Sequence, residues 1–280
     1  MPTYCGEKRY DPATTLPLLP PYLVPMPLAP LIGHQDARRR LARAAAEARV
    51  PQVLLLTGPS GVGKQRLALW LAQLLVCERP GSEPCGSCRR CHLVEGLSYA
   101  DLHWFVPIPR PKAADPDKQV DEAAEALAEV MEERRAEGRW AAPDGMASHS
   151  MASVRLLQRR ALLTSVEGGA RVFIIGNADR LVPQESSQEA ANALLKLLEE
   201  PPAGAYFILT TEDPRRVLPT IRSRAVPLRL RPLADADVRQ VLQAEKRPSG
   251  AALDERVVAA GGSIGQALAE EEARGGAQRA

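Results

Sequence analysis

The chain has almost no excess of charge: 36 Lys and Arg against 34 Asp and Glu leave a formal net charge of +2 over 280 residues. That is not the footprint of a dedicated nucleic-acid binder, although the abundant arginine could still gather into a local basic face. No apolar run approaches the ~18 residues of a membrane-spanning helix. The opening residues lack a basic patch followed by an apolar core, so no secretory signal is read there, and the default compartment is the cytoplasm. Cysteine is scarce too. Five in a chain this long are too few for a disulfide scaffold, and four of them fall close together, which in a reducing compartment points to metal. What is present is an ordinary apolar share with 25% charged residues, the composition of a globular protein of one to three domains.

The stretch that organises the rest is Val53 to Gln65, VLLLTGPSGVGKQ. Its first residues form the short apolar run of a buried parallel strand, and Gly58, Pro59, Ser60, Gly61, Val62, Gly63 and Lys64 then fit a phosphate loop through its lysine. The glycines would let successive N–H groups point inward at a phosphate, with Lys64 as the point charge. The next position should carry a Ser or Thr hydroxyl for magnesium and carries Gln65 instead. The loop reads as able to hold a nucleotide and poorly equipped to use one. The competing reading is a glycine-rich turn with no ligand.

Residues 12 to 30 hold seven prolines, too many for helix or central strand, so residues 1–27 are expected to be an extended leader, with Met26 as a second candidate start. Gln35 to Arg49 reads as a helix by propensity. After the loop, Leu67, Leu69, Trp70, Leu71, Leu74 and Leu75 predict a helix packed on several sides. Cys77, Cys85, Cys88 and Cys91 follow, spaced C-x7-C-x2-C-x2-C. Short CxxC steps let thiolates share one tetrahedral metal, so structural Zn2+ over 77–91 is the leading expectation, with an iron–sulfur cluster or four free thiols as the alternatives. Cys5 reads as a bystander. Asp101 to Val106 predicts a second strand, and 110–150 an inserted surface hairpin or lid containing an amphipathic helix.

From Val154 a helix is expected to run to about Val166, then a buried strand from Arg171 to Ile175. In a working phosphate-loop ATPase such a strand ends in acidic residues that arrange magnesium and the attacking water. Gly176 and Asn177 stand there instead, and Asp179 lies four residues past the strand, expected to point elsewhere. The helix Gln188 to Glu200 stops at Pro201-Pro202, with Glu199 and Glu200 at the end where the helix dipole disfavours them. A strand from Ala205 to Thr211, a helix around Val217 to Ile221 and a strand from Val226 to Leu230 complete a doubly wound parallel α/β sheet. Past Pro232 the composition shifts to that of a small helical domain with a polar tail.

Several of these runs coincide with one family. Leu31-Ile32-Gly33-His34-Gln35, the GPSGVGK loop, the cysteines after the loop's helix, NALLKLLEEPP from Asn192 to Pro202, and Ile221-Arg222-Ser223-Arg224 together resemble the AAA+ subunits of the bacterial DNA polymerase III clamp loader. The lost acidic pair, and Gly265 where the motor subunit carries a nucleotide-sensing arginine, make the chain similar to the delta-prime type. The resemblance implies an AAA+ domain over 28–230, a helical lid over 231–270 and a tail over 271–280. It implies a nucleotide loop at Gly58 to Gln65 with Thr210 and Thr211 as strand-end sensor, holding ATP or ADP without hydrolysis, and a zinc module at the four cysteines. Arg224 matches the arginine presented in trans to a neighbour's ATP; Ala225 replaces the family's cysteine beside it. Arg222 and Arg224 could instead pair with acids such as Glu212 or Asp213. The partners implied are motor and delta-type subunits, the sliding clamp and primed DNA, in a hetero-oligomer away from any membrane. The family's third, helical collar domain is expected to begin where this chain ends. An accessory subunit is thus the leading expectation; an active motor ATPase or a phosphotransferase is the alternative.

Overall fold

The computed structural model describes residues 31–137, 147–181, 188–244 and 250–268. The expected leader at 1–27, Cys5, Met26 and the tail at 271–280 lie outside them. Five parallel strands form one sheet in the order β2-β3-β4-β1-β5, with β1 at Val53–Thr57, β2 at Leu102–Phe105, β3 at Arg171–Ile175, β4 at Ala205–Thr211 and β5 at Val226–Arg229. Every residue of β1 and β3 is buried, as parallel strands covered by helices require. Pro227 has no N–H to give, and it sits in β5 at the edge of the sheet, where none is missed.

The helices are α1 at Gln35–Ala46, α2 at Lys64–Val76, α3 at Arg89–Glu95, α4 at Pro116–Glu137, α5 at Met151–Leu162, α6 at Gln188–Glu199, α7 at Pro219–Arg222, α8 at Asp235–Ala244 and α9 at Ala251–Ala260. One apolar core joins the sheet to α1 through α7, and a second, smaller one gathers Leu233, Val238, Leu242, Leu253, Val257, Ala260 and Ala267. A doubly wound parallel α/β sheet followed by a small helical unit, the expected lid, is therefore the architecture present. Register places Leu56 beside Thr210 and Thr57 beside Thr211, so the carboxyl ends of β1, β3 and β4 meet at one edge, the usual place for a site in an open α/β sheet.

Three elements differ from the sequence reading. α5 ends at Leu162 rather than Val166 because Leu163 turns extended. Buried Asp101 accepts from Val166 N (3.0 Å), Glu167 N (2.9 Å) and Ser165 Oγ (2.7 Å), and this holds the following loop out of helix. The helix read over Val217 to Ile221 is a 3-10 turn at Pro214–Arg216 and then one helical turn beginning at Pro219, since proline belongs in a first turn and not an interior. The amphipathic helix expected within 110–150 is present and 22 residues long, but it packs on the core rather than lying on the surface. Asp115 caps it by accepting from Asp117 N and Lys118 N, and Val120, Ala123 and Leu127 enter the main core beside α5.

Candidate functional site

At the carboxyl end of β1 the chain makes the expected glycine turn, with Gly61 and Gly63 at φ 67° and 100°, values at which an L side chain would strain the backbone. Its carbonyls are all engaged from within the protein. Lys64 Nζ donates to Gly58 O (2.9 Å) and Pro59 O (2.6 Å). Ser263 Oγ donates to Ser60 O (2.9 Å), and Gly265 N to Gly61 O (3.0 Å). His34 Nε2 lies 2.7 Å from Val62 O; a carbonyl only accepts, so that nitrogen carries the proton. Leu67 N takes Gly63 O at 2.9 Å. Burial lowers the Lys64 pKa, against the opposing charges of Glu212 and Asp179.

The lid reaches this loop backbone to backbone. A Cβ added at Gly265 would lie 2.7 Å from Gly61 Cα, and one at Gly61 would lie 2.3 Å from Ser263 Oγ. Only glycine permits that approach. An arginine at 265 could not sit in this arrangement, so the residue that departs from the motor pattern is also the one that lets the lid seat on the loop.

Gln65 and Gly176 form the second pair. Gln65 is buried, and its amide lies where a side chain on residue 176 would begin: a Cβ there would be 2.7 Å from Gln65 Nε2. Two departures far apart in sequence thus share one volume. Gln65 Oε1 and Asn177 Oδ1 are buried without a hydrogen-bond partner among the described residues. Neutral amide oxygens are weak ligands for magnesium, an ion held by carboxylates and phosphates. Asp179 accepts from Thr211 Oγ1 at 2.8 Å through Oδ1. Thr210 Oγ1 accepts from Asn177 N at 3.2 Å. The predicted loop, Thr210 and Thr211 are therefore brought together, with the loop's carbonyls and Lys64 engaged from within the protein.

Arg224 follows α7 and stands apart from that cluster. Its guanidinium donates to Thr220 O at 2.8 Å and contacts the Glu199 carboxylate at the end of α6. Asp213, considered above as its partner, instead pairs with Arg215 at 3.0 Å. The Glu199 pairing also accounts for an acid at the wrong end of a helix dipole. Arg224 remains 31% exposed along its side chain, which leaves it reachable.

The four cysteines converge. The Sγ atoms of Cys77, Cys85, Cys88 and Cys91 lie within 4.8 Å of one another, and those of Cys85 and Cys91 are 3.9 Å apart. Four thiolates on zinc at ~2.3 Å would stand about 3.8 Å from each other, so the donor set fits the ion. Backbone N–H groups already face the sulfurs, Cys85 N to Cys77 Sγ at 3.3 Å and Cys91 N to Cys88 Sγ at 3.4 Å. Hydrogen bonds from the Ser87 backbone and side chain bring the Cys85 thiol down to about 5, while burial pushes Cys91 up. All four ligand positions come from the chain, which leaves none for water or substrate.

Sequence reading missed the clasp that fixes this module. Glu83 accepts from Trp70 Nε1 at 2.6 Å and pairs with Arg38 at 2.6 Å, with Arg38 lying 5.6 Å over the Trp70 ring. It also missed His149, which is buried and whose Nε2 donates to Gly176 O at 2.7 Å. No local pattern marks either one, because each partner is distant in sequence.

Residues 33–234 match the family model described as DNA polymerase III, delta subunit. The chain is 32% identical over 185 residues to DNA polymerase III subunit delta' of Bacillus subtilis, covering 66% of this chain and 44% of the relative. It is 32% identical over 215 residues to subunit delta' of Pseudomonas aeruginosa, covering 75% and 52%. DNA polymerase III subunit gamma/tau of Mycobacterium tuberculosis is 30% identical over 235 residues, covering 83% of this chain and 33% of the relative. The chain spans about half the length of the delta' relatives it matches. With the family model covering most of the chain and delta' sequences among its relatives, the chain belongs to the DNA polymerase III delta' subunit family.

Proposed function

We propose that the chain serves as a non-hydrolysing subunit of the DNA polymerase III clamp loader. In this role it completes a neighbouring subunit's ATP site with Arg224 and helps place the sliding clamp on primed DNA in the cytoplasm. The observation that carries the reading is Gln65 lying against Gly176: the hydroxyl and the carboxylate that would hold magnesium are replaced by one buried amide. The lid seated on Gly61 supports it, because Gly265 stands against the loop where the motor subunit is expected to present a nucleotide-sensing arginine. Arg224 contributes a planar fork of donors suited to phosphate oxygens. To act in trans it exchanges the Glu199 carboxylate for charge developing on a γ-phosphate, and a partly exposed pair of this kind is weak enough to exchange. Structural zinc at the four cysteines would hold α2 and α3 together and take no part in the chemistry.

Hydrolysis by the purified chain tests the reading. Negligible steady-state turnover is expected, and weak nucleotide binding without turnover is compatible with it. Robust turnover that Lys64→Ala abolishes would sink it.

A further inference from the structure

At the opposite end of β2 from the phosphate loop, a cleft of about 240 Å³ opens between α4, the end of α5 and the segment 97–104. Arginines of the two helices line it, Arg135 from α4 and Arg160 from α5, and among the described residues no Asp or Glu does. Arg135 is aimed by two hydrogen bonds to Leu97 O, from Nη2 at 2.7 Å and Nε at 3.3 Å. Arg160 lies 5.8 Å over the Phe105 ring and is half-buried, with no carboxylate partner among the described residues. A third guanidinium, that of Arg134, stacks 4.1 Å over Trp104 in the wall. Asp101, whose charge reaches His103 in the same wall, is already satisfied by Ser165, Val166 and Glu167. Two lining residues that are nine-tenths buried, Tyr99 and Trp104, carry polar atoms, Oη and Nε1, with no hydrogen-bond partner among the described residues.

Guanidinium does not shed its proton to escape burial, so cations gathered in a partly desolvated cleft carry a cost that a bound anion would offset. Burial and the Arg160 charge accordingly lower the pKa of neighbouring His103 to about 4, which adds a neutral wall rather than another cation. The volume exceeds what a bare phosphate needs, at ~30 Å³ for each water displaced. Leu127 and Met131 supply an apolar side to it. We propose that this cleft binds a phosphorylated small molecule, with Arg135 and Arg160 clamping its phosphate oxygens and the apolar wall meeting the rest. The site is separate from the phosphate loop and depends on α4, the helix that covers the β2 side of the sheet.

Inorganic pyrophosphate, titrated into the full chain without magnesium and followed by calorimetry, is the probe. One saturable site per chain at millimolar affinity or tighter is expected, weakened at least about tenfold by Arg160→Gln and unaffected by Lys64→Ala. Arg160→Lys keeps the charge without the fork and should fall between wild type and Arg160→Gln. It also guards against a Gln variant that fails to fold. A short single-stranded oligonucleotide is added as competitor: no displacement of pyrophosphate is expected of a small-molecule site, and displacement would overturn the proposal in favour of a nucleic-acid phosphate. Absence of saturable binding, equal binding by Arg160→Gln, loss of binding in Lys64→Ala, or tighter binding of citrate than of pyrophosphate would each overturn the proposal.

Discussion

Gln65 and Gly176 show how a catalytic position can be lost as a unit. Once residue 176 has no side chain, the amide of residue 65 fills the space: a side chain restored at 176 alone meets that amide, whereas a shorter one restored at 65 alone leaves the space empty. Gly176→Asp by itself should destabilise the fold by about 1–3 kcal/mol through crowding and a buried, unmatched carboxylate. Combining it with Gln65→Thr should return most of that loss, giving a coupling of roughly 0.5–3 kcal/mol in a urea-unfolding double-mutant cycle. Strictly additive effects would show that the two residues do not share the volume. His149 makes a second residue-scale prediction. Burial lowers its pKa to about 4, against the Gly176 hydrogen bond and the Asp179 charge that favour protonation, and Arg180 adds to the lowering. The folded pKa thus lies below the unfolded ~6.5, so the unfolded chain takes up this proton first as pH falls. Stability is full above about pH 6.5 and should drop by up to ~1.4 kcal/mol per pH unit between there and pH 4 on this group's account. His149→Gln keeps a donor for Gly176 O and should flatten that slope; an unchanged slope would discard the assignment.

Elements whose signals are local were legible beforehand, and those fixed by distant partners were not. β1, β3 and β4 are continuous apolar runs, buried along almost their whole length, and their bounds match the sequence reading residue for residue or nearly so. The end of α5 was misplaced because Asp101, more than sixty residues upstream, captures the donors of the loop that follows. The charge at the end of α6 looked unfavourable until Arg224 was found beside Glu199, twenty-five residues on. That pairing carries its own prediction. Glu199→Gln should leave folding intact and release the guanidinium. The ATPase of a reconstituted complex at limiting amounts of this chain should then rise by a few-fold at most, in line with a pair worth ~0–1 kcal/mol. A fall in that ATPase would mean that Glu199 positions the arginine rather than restraining it. The cysteine spacing, in contrast, foretold the convergence of all four sulfurs. Metal analysis should return one zinc per chain, and Cys88→Ser should remove it and lower the melting temperature by roughly 5 °C or more. An iron–sulfur absorption band, or full stability in the metal-free protein, would contradict the structural-zinc reading.

Across the molecule, the lid and the sheet domain meet where a motor would open and close on nucleotide, and here the join is made of backbone. Gly265 rests on Gly61, Ser263 holds Ser60, and His34 holds Val62 from the amino-terminal side. The glycine loop could be read from sequence at once, but its closure could not, since a missing side chain at residue 265 gains meaning only when Gly61 is beside it. The proposed division of labour is in keeping with this: a loop fastened to the lid through its carbonyls, and an arginine offered elsewhere. Two variants of this chain, Lys64→Ala and Arg224→Ala, compared in a reconstituted complex with motor and delta-type subunits, clamp and primed DNA, test that division most directly. Lys64→Ala should leave DNA-stimulated ATP hydrolysis and clamp loading unchanged, while Arg224→Ala, with folding and zinc content intact, should slow turnover at the one neighbouring site it faces by up to ~10³-fold. Unchanged activity in Arg224→Ala, or a loss confined to Lys64→Ala, would contradict it.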